Sequence, residues 1–452
     1  LRLLLARWTS VLILLLGCAG SPRAPRDPLT GSWRGRAVFR GASLDFDVRF
    51  SGRGQALRGT MSAPDLMLLD QPLDAVRYRA PHVDFGTPDE HPIRFDGTLE
   101  GDSIRGGAFV PHVPGIVEAG GSLRFVLRRV PPPAPPPYTT EEVRIDAPGA
   151  RLAGTIFIPS SRRRSLPGIV ILQGSSTNLR REYVFYADHF ARMGLVVLTF
   201  DKRGTGESTG DYGAATYDDL AADAAAAVAL LRRRPEVAAD RVGVWGLSQG
   251  AFIAPLVAAR VPSLRFIVAV SPPGVTIGTS AAYQDSVRLI TNGFSPADAG
   301  RAAALDRRIA TWLGDGADEA ALARDLARFA DAPWRRASTI PARLPAGPAL
   351  SGWYWRGRTT DPIPSWRRLR VPALVVFGAA DELLPARVSA EKIEDALRAG
   401  GNRDATVSVF PGADHVLRRH PPVTGVAWDW PRAAPGYLDL ITRWITRHVE
   451  SR

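Results

Sequence analysis

Between Gly31 and about Arg129, apolar and polar positions alternate along the chain. Leu44, Phe46, Val48 and Phe50 are interleaved with Asp45, Asp47 and Arg49, and Leu123, Phe125 and Leu127 repeat the pattern at the far end of the stretch. Side chains of a strand point in turn to its two faces, so a period of two predicts antiparallel sheet with one wet face. Shorter runs around Val76-Arg77-Tyr78 and from Ile93 to Leu99 fall between turn signals at Ser51-Gly52, Gly101-Asp102 and Gly120-Gly121. The expectation is a small antiparallel all-β domain over residues 30–130. Its three histidines, His82, His91 and His112, are too widely spaced to suggest a metal site.

From Pro131 to Pro137 six of seven residues are proline, a stiff spacer of polyproline II character that marks a domain boundary. A second domain is expected over 138–452. Val143, Ile145, Leu152, Ile156 and Ile158 predict an amphipathic hairpin turning at Pro148-Gly149. Then the alternation stops. Gly168 to Leu172, Leu195 to Phe200, Arg241 to Trp245, Phe266 to Val270, Ala373 to Phe377 and Thr406 to Phe410 are almost continuous apolar runs. Helix-compatible segments accompany them, among them the alanine-rich Tyr217 to Arg234 and the amphipathic Tyr437 to Val449. Strands buried on both faces have this composition, so the pattern predicts a mostly parallel sheet with helices on both faces. Catalytic groups on such a sheet belong outside the carboxyl ends of its strands.

Over about 275–366 the strand and helix alternation lapses. Residues 297–330 look helical, with Leu305, Ile309, Leu313, Leu322, Leu326 and Phe329 as apolar contacts, and Trp334, Trp353, Tyr354 and Trp355 follow. Two readings stay open for this insertion. It is a cap whose aromatics line an apolar acyl pocket, or those aromatics are the plain core of a helical layer.

The N-terminus reads as a targeting segment. Arg2 and Arg7 precede the short apolar core Val11 to Leu16, then Gly17 and Cys18, which describes a secretory signal over residues 1–18. Residues 19–29, rich in Ser, Pro and Arg, form a tether. Cys18 is the only cysteine, so no disulfide within one chain is possible. The net charge of +12 comes from scattered arginines such as Arg162-Arg163-Arg164 and Arg232-Arg233-Arg234, without a nucleic-acid-binding motif, and reads as an arginine-rich surface.

The chemistry is concentrated at Gly246-Leu247-Ser248-Gln249-Gly250, which ends an apolar strand and opens a small-residue segment of helix type. Strand, tight turn, helix is the context in which Gly-x-Ser-x-Gly presents an exposed serine hydroxyl. A serine needs a general base and an acid that holds the base in its working tautomer. His415 follows the Thr406 to Phe410 strand, with His420 its one serious rival. Asp381 follows the Ala373 to Phe377 strand and is preferred over its neighbour Glu382; Asp414 is too close to His415 in sequence. The developing oxyanion needs fixed donors, for which the backbone N–H groups of Gln249 and of Ser175, in Gln173-Gly174-Ser175-Ser176, are the candidates. Asp201 to Ser208 is glycine-rich but lacks the spacing of a phosphate loop, and reads as a turn bracing the site's rim. No metal-ligand cluster or dinucleotide fingerprint appears, so no cofactor is expected.

On Gly246 to Gly250, Asp201-Lys202-Arg203-Gly204-Thr205-Gly206, Gly378 to Asp381 and Gly412 to His415, the chain from about Val143 to Val449 resembles an α/β-hydrolase. More narrowly it resembles bacterial serine esterases of the dienelactone-hydrolase and prolyl-oligopeptidase-like branch with an N-terminal β domain. That resemblance implies an α/β-hydrolase fold with a helical cap, preceded by the β domain, and cleavage of small-molecule carboxylic esters through an acyl-serine. Serine in place of the cysteine of dienelactone hydrolases argues against their lactone chemistry. A serine peptidase or amidase is the alternative, and a non-catalytic envelope binding protein on a hydrolase fold is the other. Gly31 to Gly35 looks like the opening strand of lipocalin-like barrels. Leu15-Leu16-Gly17-Cys18 resembles the bacterial lipoprotein signal, which implies a lipid on Cys18 and, with Ala19 next, an extracytoplasmic site at the outer membrane facing the periplasm.

Overall fold

The computed structural model describes residues 27–87, 92–111, 120–161, 165–316, 318–347, 350, 352–419 and 429–450. The signal segment with Cys18, most of the tether, and His91, His112 and His420 lie outside them.

The alternating stretch forms β1 (Gly31–Phe39), β2 (Ala42–Ser51), β3 (Arg58–Ala63), β4 (Leu68–Pro72), β5 (Asp74–Arg79), β6 (His82–Gly86), β7 (Arg94–Glu100), β8 (Ser103–Val110) and β9 (Gly121–Val130). They make one antiparallel sheet in the order β4-β3-β2-β1-β9-β8-β7-β6-β5. The two faces separate as the period demands. Phe46, Phe50, Phe85, Phe95 and Phe125 turn inward, with Phe85 stacked on Phe95 at 4.8 Å and Phe125 edge-on to Phe95 at 5.4 Å. Outward, Arg34 and Arg36 pair across the strands with Asp47 and Asp45.

After the proline segment come β10 (Tyr138–Ala147), β11 (Ala150–Pro159), β12 (Leu166–Leu172), β13 (Val196–Phe200), β14 (Val237–Leu247), β15 (Ile267–Val270), β16 (Ala373–Gly378) and β17 (Ala405–Phe410). Their order is β10-β11-β13-β12-β14-β15-β16-β17, antiparallel through β13 and parallel from there on. Adjacent residues of one strand serve opposite layers. Val170, Val244 and Val375 pack on α2 (Tyr217–Arg232), α3 (Gln249–Arg260) and α9 (Ala386–Gly400). Ile171, Trp245 and Val376 pack on α1 (Val184–Arg192) and α10 (Tyr437–Glu450). This is an α/β-hydrolase fold behind an antiparallel β sheet. The elbow strand β14 is longer than the apolar run Arg241 to Trp245 at both ends, because Val237 pairs with Leu166 of β12 and Gly246 and Leu247 pair with Ala269 and Val270 of β15.

Between β15 and β16 lie α4 (Ile277–Thr291), α5 (Pro296–Asp315), α6 (Glu319–Arg328), α7 (Trp353–Arg356) and α8 (Ile363–Arg368). Leu289, Leu305, Ile309, Leu322, Leu326 and Trp334 form a separate small core in this insertion, with Trp355 packed against it. For those residues the core reading holds. Trp353 differs: it joins the sheet's own core and packs on Tyr212 with ring centroids 5.5 Å apart. A fully buried Arg358–Asp306 pair at 2.9 Å ties α5 to the segment after α7.

Candidate active site

Ser248, Asp381 and His415 follow β14, β16 and β17, whose carboxyl ends lie on one edge of the parallel sheet. Ser248 joins β14 to α3 with φ 53° and ψ −112°, a sparsely populated conformation for a residue with a Cβ. Two glycines make that turn possible. A Cβ on Gly246 would stand 2.4 Å from the Gly250 carbonyl carbon, and one on Gly250 would stand 2.1 Å from the Leu172 oxygen, so strand, turn and helix touch backbone to backbone. Gln249 is the first residue of α3, where backbone N–H groups have no carbonyl one turn back to bond.

His415 is buried and its Nδ1 is 2.7 Å from Asp381 Oδ2. Asp381 Oδ1 accepts the Leu383 and Leu384 N–H groups at 2.8 and 3.0 Å, which fixes the carboxylate's orientation. The two loops meet at Gly378, where a Cβ would lie 2.1 Å from the Asp414 carbonyl oxygen. Asp414 itself is occupied in its own loop, accepting Val416 and Arg418 N–H and pairing with Arg418. Glu382 is exposed. Burial pulls the His415 imidazole down, but the Asp381 hydrogen bond and the charges of Asp381, Glu382 and Asp414 outweigh it and hold it above its ordinary value. His415 Nε2 is buried and has no hydrogen-bond partner among the described residues. A buried ring nitrogen left open in this way is placed to take a proton from an incoming group.

The loop after β12 lies against the elbow: the Cβ position of Gly174 is 3.8 Å from Ser248 Cβ. Gly174 N–H donates to Tyr183 Oη at 2.9 Å. Lys202, from the glycine-rich turn, donates to Gly174 O at 2.5 Å and to Ser176 O. Tyr212 Oη donates to Ser175 O and is 3.0 Å from Gln249 Oε1; its single proton serves one acceptor at a time. The same turn is braced by Arg203, whose guanidinium meets Asp223 in a buried bidentate pair, both contacts at 2.8 Å.

A family model described as X-Pro dipeptidyl-peptidase (S15 family) matches residues 148–398, more than half of the chain. The chain belongs to the S15 family. The match takes in Ser248 and Asp381 and stops short of His415, and it leaves β1 to β9 outside. An uncharacterized protein of Pseudomonas aeruginosa, PA2218, is 32% identical over 143 residues, which are 31% of this chain and 38% of that protein. The alignment thus spans well under half the length of this curated relative. Among solved structures, PA2218 of Pseudomonas aeruginosa superposes with TM-score 0.43 at 21% identity, covering 70% of this chain and 95% of that one. The Pyrococcus furiosus esterase Pf2001 superposes with TM-score 0.43 at 18% identity over 69% and 89%. This S15-family chain is a serine hydrolase of the α/β-hydrolase superfamily.

Three side chains at the site of this S15-family member, Tyr212, Tyr283 and Ser271, lie in none of the motifs, and Lys202 lies in one that by sequence is only a brace of the rim. Tyr212 and Lys202 reach the β12 loop from a turn whose sequence shows only glycines and charge. Tyr283 of α4 donates to the Asp381 carbonyl at 2.9 Å, tying the insertion to the acid loop. Ser271, buried just past β15 at φ 49°, donates to the His415 carbonyl at 2.8 Å. The only available signal was position: each follows, or faces, the carboxyl end of a buried strand.

Proposed function

We propose that this protein hydrolyses carboxylic esters through an acyl-serine, with Ser248 as nucleophile, His415 as general base and Asp381 as its orienting acid. Ser248 Oγ bonds to the ester carbonyl carbon while its proton passes to His415 Nε2. The negative oxygen takes hydrogen bonds from the Gln249 and Ser175 N–H groups. Collapse breaks the bond to the alcohol, which leaves with the proton from His415. Water then repeats the sequence and releases the acid. The observation that carries the reading is the buried His415–Asp381 pair with Nε2 open, at the same sheet edge as a serine on a strained elbow.

A second reading, a peptidase acting next to a free amino terminus, is favoured by the family match. The exposed carboxylate of Glu382, one residue from Asp381, would be its anchor for a substrate ammonium. Intact mass after treatment with a fluorophosphonate, beside S248A and H415A, tests the nucleophile. One adduct on the wild type, none on S248A, and loss of p-nitrophenyl ester turnover in both variants are expected. Cleavage of X-Pro p-nitroanilides in preference to esters would favour the peptidase, and an unlabelled, folded, inactive wild type would point to a binding protein.

A further inference from the structure

The glycine-rich turn carries a feature that bracing alone does not require. Lys202 is 5% exposed, and its ammonium meets two carbonyl oxygens and the face of the Tyr212 ring, 4.2 Å from the centroid, with no carboxylate paired to it among the described residues. Burying an ammonium is costly, and a methionine would fill the same space without that cost. Burial lowers the Lys202 ammonium to about 7, with the charge of Glu182 acting the other way. What the ammonium gains is a hold on the peptides of the β12 loop.

We propose that Lys202, with Tyr212, is the positioning residue of the oxyanion hole: it grips the Gly174 and Ser176 carbonyls and so aims the Ser175 N–H at the oxygen developing beside Ser248. The inference rests on the reading of Ser175 as a donor given above. Its geometry follows from the peptide plane. In a trans peptide the C=O of one residue and the N–H of the next point in opposite directions. Fixing the Gly174 oxygen therefore fixes the Ser175 N–H on the far side of the same plane. The neighbouring amide, Gly174 N–H, is already used by Tyr183, so of the two amide N–H groups flanking the Gly174 Cα the Ser175 one is, among the described residues, free to serve the elbow. In its protonated form Lys202 also acts electronically, since a charged donor on the carbonyl polarises the amide and strengthens the hydrogen bond its N–H gives. Tyr212 completes the clamp by holding the intervening Ser175 carbonyl.

The test compares Lys202→Met, Lys202→Gln and Tyr212→Phe with the wild type, each normalised to active sites by fluorophosphonate titration. K202M is expected to lower kcat by about 10²-fold, as the loss of an oxyanion donor does, with KM within about twofold. The affinity for an aryl trifluoromethyl ketone, which forms a hemiketal oxyanion on the serine, is expected to fall by the same factor as kcat/KM. K202Q and Y212F are expected to lose less. If K202M does not fold, those two variants carry the test. A purely structural role would reduce the number of titratable sites and leave kcat per site and ketone affinity unchanged; that outcome in the folded variants overturns the proposal. S248A keeping its turnover would instead overturn the underlying catalytic reading.

Discussion

At the scale of single residues, the site works by opposing what each group would do alone. Ser248 is held at positive φ, strain of order 1–3 kcal/mol that the packed elbow must sustain. His415 is pulled toward neutrality by burial and toward protonation by Asp381, and the second effect prevails. On the proposal that His415 is the general base, which acts in its neutral form, kcat/KM is expected to rise with pH through an apparent pKa above the ordinary histidine value, protonated His415 being inactive below it. Asp381→Asn removes the principal raising group and leaves burial opposed by the charges of Glu382 and Asp414 alone, so the limb is expected to move to lower pH while kcat falls by roughly 10⁴. A pH–rate profile of the two proteins checks both; an unmoved limb would show that Asp381 does not set the titration. These three residues stand out in the sequence as candidates because each lies in the loop just past the carboxyl end of an apolar strand. The grip of Lys202 and Tyr212 on the β12 loop leaves no such mark, since that loop is some thirty residues away in the chain. Their partners are backbone carbonyls, which leave no trace in the side-chain pattern.

At the scale of elements, periodicity revealed the eight strands of the larger sheet but passed over β3, β4, β6 and β8 of the smaller one, because the two sheets present opposite patterns: continuity where both faces are covered, and a fainter alternation, short and broken by turns, where one is wet. It failed where a glycine continues a strand, as at Gly246, and in the insertion, where α4 carries Tyr283 to the site on a face that composition does not distinguish. The approach of the acid and base loops is set by one residue. At Gly378 a Cβ would meet the backbone oxygens of Asp414 and Ala413 at 2.1 and 2.3 Å, and neither can yield without moving the loop that holds His415. Gly378→Ala is therefore expected to cost about 1–3 kcal/mol in stability. It is also expected to lower kcat/KM more than KM rises, because the His415–Asp381 hydrogen bond must lengthen. Urea unfolding and steady-state kinetics measure the two effects, and full activity together with wild-type stability would refute the close approach.

At the scale of the whole molecule, the antiparallel sheet and the hydrolase part share buried surface. Trp430, from the loop before α10, is buried in the core of the small sheet, 6.3 Å from the Phe39 ring, with its indole N–H donating to Ala42 O at 3.3 Å. Nearby, Arg432 pairs with Asp65, Tyr186 Oη donates to Met67 Sδ at 3.7 Å, and Gln71 donates to the Arg181 carbonyl at 3.3 Å. The Arg432 and Gln71 links are exposed, and such pairs contribute about 1 kcal/mol or less each, whereas the Tyr186–Met67 contact is buried. Two buried side chains cross between the parts, Met67 into the hydrolase core and Trp430 into the core of the small sheet; the indole is the larger, and removing a buried Trp side chain costs about 3–5 kcal/mol. Since that side chain belongs to one part by chain and to the other by packing, its loss is expected to uncouple them. Wild-type protein is expected to unfold in urea with coincident transitions by tryptophan fluorescence and far-UV circular dichroism, and Trp430→Ala in two steps, the β sheet first. Ester turnover surviving between the two steps would show that the catalytic edge stands without the sheet. A single shifted transition in the variant would show instead that the remaining contacts suffice to keep the two parts one cooperative unit.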